Sequence, residues 1–123
     1  MRLPYPGEEL RTVEDLSAKK CKPCEGGVPA LTPEQAAEML AGLDAGWTLN
    51  DDATLIERAF TFPAFSRTIA FVNAVAYIAT IEGHHPIVQF GYGDCRVGYK
   101  TTAIDGLSEN DFICAAKIDR LLS

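Results

Sequence analysis

The chain has 123 residues, of which 47% are hydrophobic and 23% charged, and this composition predicts one globular domain with a modest core. Its formal net charge of −6 argues against nucleic-acid binding, because affinity for the phosphate backbone comes from clustered Lys and Arg. No apolar run approaches the ~20 residues that span a bilayer, and the N-terminus has no apolar signal segment, so we expect a cytoplasmic protein with no membrane partner.

Residues 1–30 predict an extended N-terminal arm, and residues 31–123 predict the compact domain. Proline and glycine interrupt the arm, and no apolar period survives there. Cys21 and Cys24 have the C-x-x-C spacing of half a zinc site or of a redox pair. A structural zinc needs four ligands, no second pair exists, and neither Cys95 nor Cys114 looks like a partner from its predicted element. Two ordinary thiols in a loop, without a metal, are therefore the favoured interpretation.

Three helices and two hairpins alternate along the compact domain. Helix starts are predicted at Thr32, followed by Pro33 and Gln35, and at Ser108. Strands are predicted over residues 47–49 and 54–62 and again over 87–92 and 95–102. This order, helix-hairpin-helix-hairpin-helix, predicts an α+β fold with a four-stranded antiparallel sheet and three helices packed on one face.

The longest helix is predicted from Pro63 to about Glu82, with Gly83 as its stop. Its main apolar stripe is predicted to be Phe65, Ile69, Val72, Ala76 and Ala79, broadened by Phe71, Val75 and Ile78. In the last strand, alternation predicts two faces. The core face would hold Cys95, Val97, Tyr99 and Thr101, and the other face Arg96, Gly98, Lys100 and Thr102.

The only two histidines are adjacent, in the tripeptide His84-His85-Pro86 at the junction between the long helix and a strand. Imidazole is the side chain whose unperturbed pKa lies near neutrality, so it can donate and accept protons at physiological pH. Placing both histidines at one junction indicates a catalytic site there, with a helix cap and an exposed neighbour as the structural alternative.

Residues 82–86 and 106–112 together resemble the pterin-4a-carbinolamine dehydratases, and residues 24–27 and 46–47 resemble bacterial members. The resemblance implies a hydro-lyase that converts 4a-hydroxytetrahydropterin to quinonoid dihydropterin and water, recycling pterin for aromatic amino-acid hydroxylation. It implies no metal and no bound cofactor. It also implies a homodimer or homotetramer assembled through sheet edges and helices, with an aromatic amino-acid hydroxylase or another protein as a possible client.

The resemblance assigns catalytic roles to His84 and His85, which match the histidine pair of the family, and to Asp111, which matches its downstream aspartate. Two neighbouring imidazoles can act as general acid and general base if one is protonated and the other neutral, and the sequence leaves open which histidine has which role. For Asp111, stabilisation of a helix N-terminus by its negative charge is an equally weighted alternative.

The chain departs from the family at Thr102, where members usually carry a third histidine. A threonine hydroxyl can hydrogen-bond a pterin but cannot change protonation near pH 7, so Thr102 and the nearby Glu82 are predicted as substrate-binding residues. The departure favours a second hypothesis: a weakened or inactive dehydratase that binds proteins, for example in RuBisCO assembly, through Arg96 and Lys100. The retained histidine pair favours the enzyme, and a redox or zinc protein ranks third.

Overall fold

A computed structural model describes residues 15–23 and 29–123 of the chain. Within these residues lie three α-helices and one four-stranded antiparallel sheet, which confirms the predicted α+β fold and its order of elements. In chain order the elements are α1 (Pro33–Leu40), β1 (Thr48–Leu49), β2 (Ile56–Thr61), α2 (Phe65–Glu82), β3 (Ile87–Phe90), β4 (Asp94–Tyr99) and α3 (Glu109–Leu121). In this part of the chain, no helix is long and apolar enough to cross a membrane.

The strand order in the sheet is β1-β2-β4-β3, so the two hairpins join through β2 and β4. Ile56 lies opposite Tyr99 and Phe60 lies opposite Cys95, and all four side chains are buried on the face that the helices cover. Within the described residues, the edge strand β3 pairs only with β4. Its residue Ile87 is exposed, so in this part of the chain one edge of the sheet is both unpaired and apolar.

Helix α2 covers the sheet with a different face from the predicted one. Its buried apolar residues are Phe71, Val75, Ile78 and Ala79, whereas Phe65 is 45% exposed and Ala76 is exposed as well. The predicted main stripe was therefore wrong at Phe65 and Ala76, whereas its member Ala79 is buried together with the three residues expected to broaden the stripe. Because α2 is apolar on most of its circumference, periodicity alone does not identify the face that packs.

Strand β4 ends at Tyr99, three residues earlier than predicted. A 3-10 turn (Thr102–Ile104) follows, and the backbone of Thr101 bonds to that of Gly106 at 2.8 Å to close the loop. Asp105 completes this turn in the left-handed conformation, with φ of 48°. Thr101 is buried as alternation predicted, but Thr102 lies on a loop and not on the sheet.

Residues 15–23, here called the strap, lie along α3. The strap contains a 3-10 turn (Leu16–Ala18), and Leu16 and Cys21 pack against the core. Its Lys22 donates its backbone N–H to the Asn110 side chain at 3.0 Å and accepts a bond from the same amide at 2.6 Å. The remainder of the predicted arm includes residues 1–14 and 24–28, which lie outside the described residues.

Candidate functional site

The histidine pair lies where α2 ends. Gly83 is the C-terminal cap of α2 and has left-handed dihedrals, φ 66° and ψ 28°, which glycine adopts without a steric cost. The backbone N–H of His84 donates to the carbonyl of Ala79 at 3.2 Å. This bond caps the helix, and His84 follows directly, before the chain enters β3.

His84 contacts Asp111, which lies in the first turn of α3. His84 Nε2 lies 2.6 Å from Asp111 Oδ1, and the carboxylate is completely buried. The other oxygen, Oδ2, accepts the backbone N–H of Ser108 at 2.9 Å and the hydroxyl of Thr101 at 2.7 Å. One oxygen of Asp111 therefore caps the helix while the other holds the imidazole, so the two interpretations of this residue are compatible.

The protonation of His84 is set by two opposing effects. Burial lowers the pKa of its imidazole, but the hydrogen bond and the negative charge of Asp111 outweigh burial, so the pKa is raised above its ordinary value of 6.5. The His84 ring also stacks on the Tyr99 ring, with centroids 5.6 Å apart and planes 8° from parallel. Asp111 and Tyr99 together fix the position and the plane of the imidazole.

A cleft of about 340 Å³ opens at this point, within the size range of small-molecule sites. Both histidines line it, His84 as the half-buried member and His85 as the exposed one. The full lining is Gly83, His84, His85, Lys100, Thr101, Thr102 and Ala103. The structure thus brings His84, His85 and Thr102 to one cleft, with Asp111 buried behind His84.

Glu82 is placed elsewhere. Its Oε1 accepts the backbone N–H of Cys21 at 2.9 Å, and its Oε2 accepts Lys117 Nζ at 2.7 Å. Burial acts to raise the pKa of this carboxyl, but the two hydrogen bonds and the Lys117 charge lower it below the usual value. Glu82 anchors the strap and does not line the cleft.

Sequence reasoning missed three residues of the site. Thr101 was assigned to the core face only, although its hydroxyl holds Asp111, and Tyr99 was likewise assigned to the core without its contact to His84. Lys100 was considered only as a protein contact, yet it lines the cleft and forms an ion pair with Asp105 at 2.8 Å. Lys100 lies two residues before Thr102, so alternation in the predicted strand put both side chains on one face. That spacing could have identified Lys100 as a neighbour of Thr102 in the site.

The thiol of Cys21 lies 3.5 Å from that of Cys114 on α3, so the expectation that Cys114 is no partner of Cys21 was wrong. The contact forms because the strap packs on α3. Predicting which residues are helix or strand does not reveal that packing. The hydrogen bond to Cys114, together with burial, raises the pKa of the Cys21 thiol. Cys24 lies outside the described residues, and within residues 15–23 and 29–123 no three potential ligands cluster to hold a metal.

A larger cavity, of about 500 Å³, lies between the strap and α3. Its charged side chains are engaged with other protein groups: Lys117 with Glu82 at 2.7 Å, and Arg120 with Asp15 at 3.5 Å. Neither histidine lines it. The larger cavity therefore lacks the imidazoles that line the smaller cleft.

Comparison with known proteins gives consistent results. The sequence pattern of the family described as pterin 4 alpha carbinolamine dehydratase matches residues 29–121. A protein of Nitrosomonas eutropha is 56% identical over 92% of this chain and 98% of its own length. One of Legionella pneumophila (strain Corby) is 53% identical over 88% of this chain and 96% of its own. Both are named provisionally as pterin-4-alpha-carbinolamine dehydratases.

Two solved structures share the fold. A transcriptional coactivator/pterin dehydratase from Brucella melitensis superposes with a TM-score of 0.72 and 31% identity, over 76% of this chain and 99% of that one. A pterin dehydratase-like protein identified as a RuBisCO assembly factor of the alpha-carboxysome superposes with a TM-score of 0.54, over 62% of this chain and 88% of that one. At 23% identity, this second likeness concerns the fold alone.

Proposed function

The chain belongs to the pterin 4 alpha carbinolamine dehydratase family, and from this premise we propose that it dehydrates 4a-hydroxytetrahydropterin to quinonoid dihydropterin. The observation that carries the proposal is the buried His84–Asp111 pair at a cleft that His85 also lines. A buried carboxylate bonded to an imidazole holds that ring in one orientation and stabilises its protonated form.

In the proposed reaction His84 is the general acid. Its raised pKa enlarges the protonated fraction near neutral pH, and Asp111 takes the Nε2 proton of the ring in a hydrogen bond. In residues 15–23 and 29–123, Nδ1 has no hydrogen-bond partner. We assign to Nδ1 the proton that is transferred to the 4a oxygen, because hydroxide is a poor leaving group until it is protonated.

His85 is the proposed general base. As the C4a–O bond breaks, the oxygen leaves with the bonding pair and the proton of His84, as water. The proton on N5 passes to the neutral imidazole of His85, and the N5–H electrons form the C4a=N5 double bond. His85 is exposed, so it can return its proton to solvent, and His84 can be reprotonated for the next cycle.

The test is a stopped-flow assay of quinonoid dihydropterin formation, with 4a-hydroxytetrahydropterin generated in place by an aromatic amino-acid hydroxylase. We expect the wild-type chain to exceed the spontaneous rate. His84→Gln and His85→Gln should each lose about 100- to 10,000-fold in kcat, the range typical of removing a general acid or base. Wild-type turnover at the spontaneous rate would contradict the proposal.

We also propose that the chain forms a homo-oligomer through the edge strand β3. No strand among residues 15–23 and 29–123 pairs with its outer side, and Ile87 and Phe90 on this strand are exposed, as are the stacked rings of Phe65 and Tyr92. Pairing with β3 of a second copy would bury both features. Light scattering should give a multiple of the 13.3 kDa chain mass, and Ile87→Lys should shift it toward the monomer, while Asp52→Lys, in an exposed turn before β2, should not.

A protein-binding role, such as that of the RuBisCO assembly factor, has less support for this chain. A buried carboxylate costs free energy unless it is paired, and Asp111 has its partners at the cleft. A scaffold that only binds proteins could use such a pair for stability, but it has no need of two imidazoles at one cleft. Recovery of a stable client by a variant that lacks both histidines would favour the binding function.

A further inference from the structure

The wall of the cleft contributed by residues 100–103 contains one ionisable side chain. Thr101, Thr102 and Ala103 have no group that titrates near neutral pH, and Lys100 carries an ammonium. Thr102 occupies the position of the histidine that is usual in the family, so this wall lacks an imidazole. Lys100 is therefore the one cation with which this wall can act on a bound substrate.

The ammonium of Lys100 is held by one ion pair, which leaves some of its N–H donors for other partners. Its Nζ lies 2.8 Å from Asp105 Oδ1 across the turn that carries Thr102. The side chain of Asp105 is 89% exposed, whereas that of Lys100 is 31% exposed, so the ion pair spans the rim of the cleft. An ammonium has three N–H donors, and Asp105 accepts one of them, which leaves donors for a ligand.

The reaction creates negative charge that this cation can stabilise. As the C4a–O bond lengthens, the departing oxygen gains electron density before proton transfer from His84 is complete. A fixed donor at that oxygen acts on the transition state more than on the ground state. Asp111, the buried carboxylate at the site, is engaged by His84 and Thr101, so the carboxylate that pairs with Lys100 is Asp105, which is mostly in solvent.

We propose that Lys100 is a catalytic residue whose ammonium contacts the 4a oxygen of the bound pterin and stabilises its developing negative charge. The inference rests on the proposed function and adds a third participant to it. The bond changes remain the same: the oxygen leaves as water with a proton from His84, and the N5 proton passes to His85. Lys100 keeps all its protons and acts through charge and hydrogen bonding alone.

The test uses four variants of the full chain in the stopped-flow assay. Lys100→Met removes the charge and keeps a long side chain, and Lys100→Arg keeps the charge. Asp105→Asn removes only the ion pair, and Arg96→Met is the matched control. Arg96 is an exposed cation on β4 whose nearest ionic partner is Glu57 at 3.5 Å, and it does not line the cleft.

We expect Lys100→Met to lower kcat by about 10- to 100-fold, at the lower end of the losses seen for charge-stabilising donors. Its affinity for the non-reacting ligand 7,8-dihydrobiopterin should change by less than about threefold, because the contact strengthens only in the transition state. Lys100→Arg should recover most of kcat, Asp105→Asn should retain it within about threefold, and Arg96→Met should match wild type. A purely structural ion pair would instead make Lys100→Met and Asp105→Asn equal in both Tm and kcat.

The outcomes separate the two proposals. If the wild-type chain exceeds the spontaneous rate and Lys100→Met has the same kcat, the role of Lys100 is overturned and the dehydratase proposal stands. Equal losses in Lys100→Met and Asp105→Asn also overturn it, because they identify a structural tie. Wild-type turnover at the spontaneous rate overturns both proposals.

Discussion

Asp111 and His84 join the start of α3 to the end of α2 through one hydrogen bond of 2.6 Å between Oδ1 and Nε2. The contact serves folding and chemistry together. The carboxylate is buried by the packing of α3, and its second oxygen is occupied by Ser108 and Thr101, so it cannot turn away from the imidazole. The position of the acid in the proposed reaction is therefore a consequence of how α3 is capped.

Asp111→Asn should separate these two effects, because asparagine keeps an acceptor for the Ser108 N–H but removes the charge. We expect the pKa of His84 to fall below its ordinary 6.5, since burial, which lowers it, is left without the opposing carboxylate. The protonated acid then becomes scarce at neutral pH, and kcat should fall about 10- to 100-fold. NMR titration resolves the effect well because the chain has two histidines.

Glu109→Gln is the matched control for this variant. Glu109 is also in the first turn of α3, but its side chain is 39% exposed and pairs with Lys19, whereas His84 pairs with Asp111. It should leave the His84 titration unchanged. An Asp111→Asn protein in which His84 still titrates above its ordinary value would show that the carboxylate does not control this imidazole.

Local chemistry made much of this site predictable from the sequence. The caps at Thr32, Gly83 and Ser108 depend on the residue and its immediate neighbours, and the structure has all three. They set where α2 ends and α3 begins. The sequence therefore correctly predicted the histidine pair just after α2 and Asp111 in the first turn of α3.

Features that depend on contacts between distant segments were not predictable in this way. The sequence could not show that Glu82 faces the strap or that Cys21 meets Cys114, because both contacts require the strap to lie along α3. The loop after Tyr99 was missed for a related reason. Residues 100–102 favour extended structure locally, and the bond from Thr101 to Gly106 overrides that preference.

The His84–Asp111 pair should also make stability depend on pH in a defined direction. The pKa of His84 is raised in the folded state, so its contribution to the free energy of unfolding is fully present below the unfolded-state value of about 6.5. It is lost as pH rises through the higher folded-state pKa. Urea unfolding between about pH 6 and pH 8, below the range in which free thiols ionise, should therefore show a loss of stability that is smaller in His84→Gln. A profile unchanged by His84→Gln would contradict this linkage.

Glu82→Gln distinguishes an anchor of the strap from a substrate-binding residue. Removing the charge leaves the half-buried ammonium of Lys117 without its ionic partner and weakens the bond from the Cys21 N–H. We expect a loss of about 1–3 kcal/mol in the free energy of unfolding and faster hydrogen exchange at the Cys21 amide. The KM for the pterin should stay within about threefold of wild type. A large rise in KM with unchanged exchange would restore Glu82 to the substrate site.

Thr102→His should raise kcat. Thr102 is exposed on the wall of the cleft, in the first position of a 3-10 turn, so an imidazole can be accommodated there without entering the core. It would add a group that exchanges protons near pH 7 on the side opposite His84, where threonine supplies only a hydroxyl. We expect a gain of about 10-fold or more, within the range typical of general acid–base groups, measured in the same stopped-flow assay.

Thr102→Val is the control, because it keeps the shape of threonine and removes the hydroxyl. If the hydroxyl only orients the substrate, Thr102→Val should raise KM and leave kcat close to wild type, while Thr102→His acts mainly on kcat. A Thr102→His protein that is no faster than wild type, yet still binds 7,8-dihydrobiopterin, would mean that Lys100 and the histidine pair already supply the catalysis this cleft can use. In that case Lys100→Met in the Thr102→His background should lose as much activity as it does alone, whereas a working imidazole at position 102 should make the loss smaller.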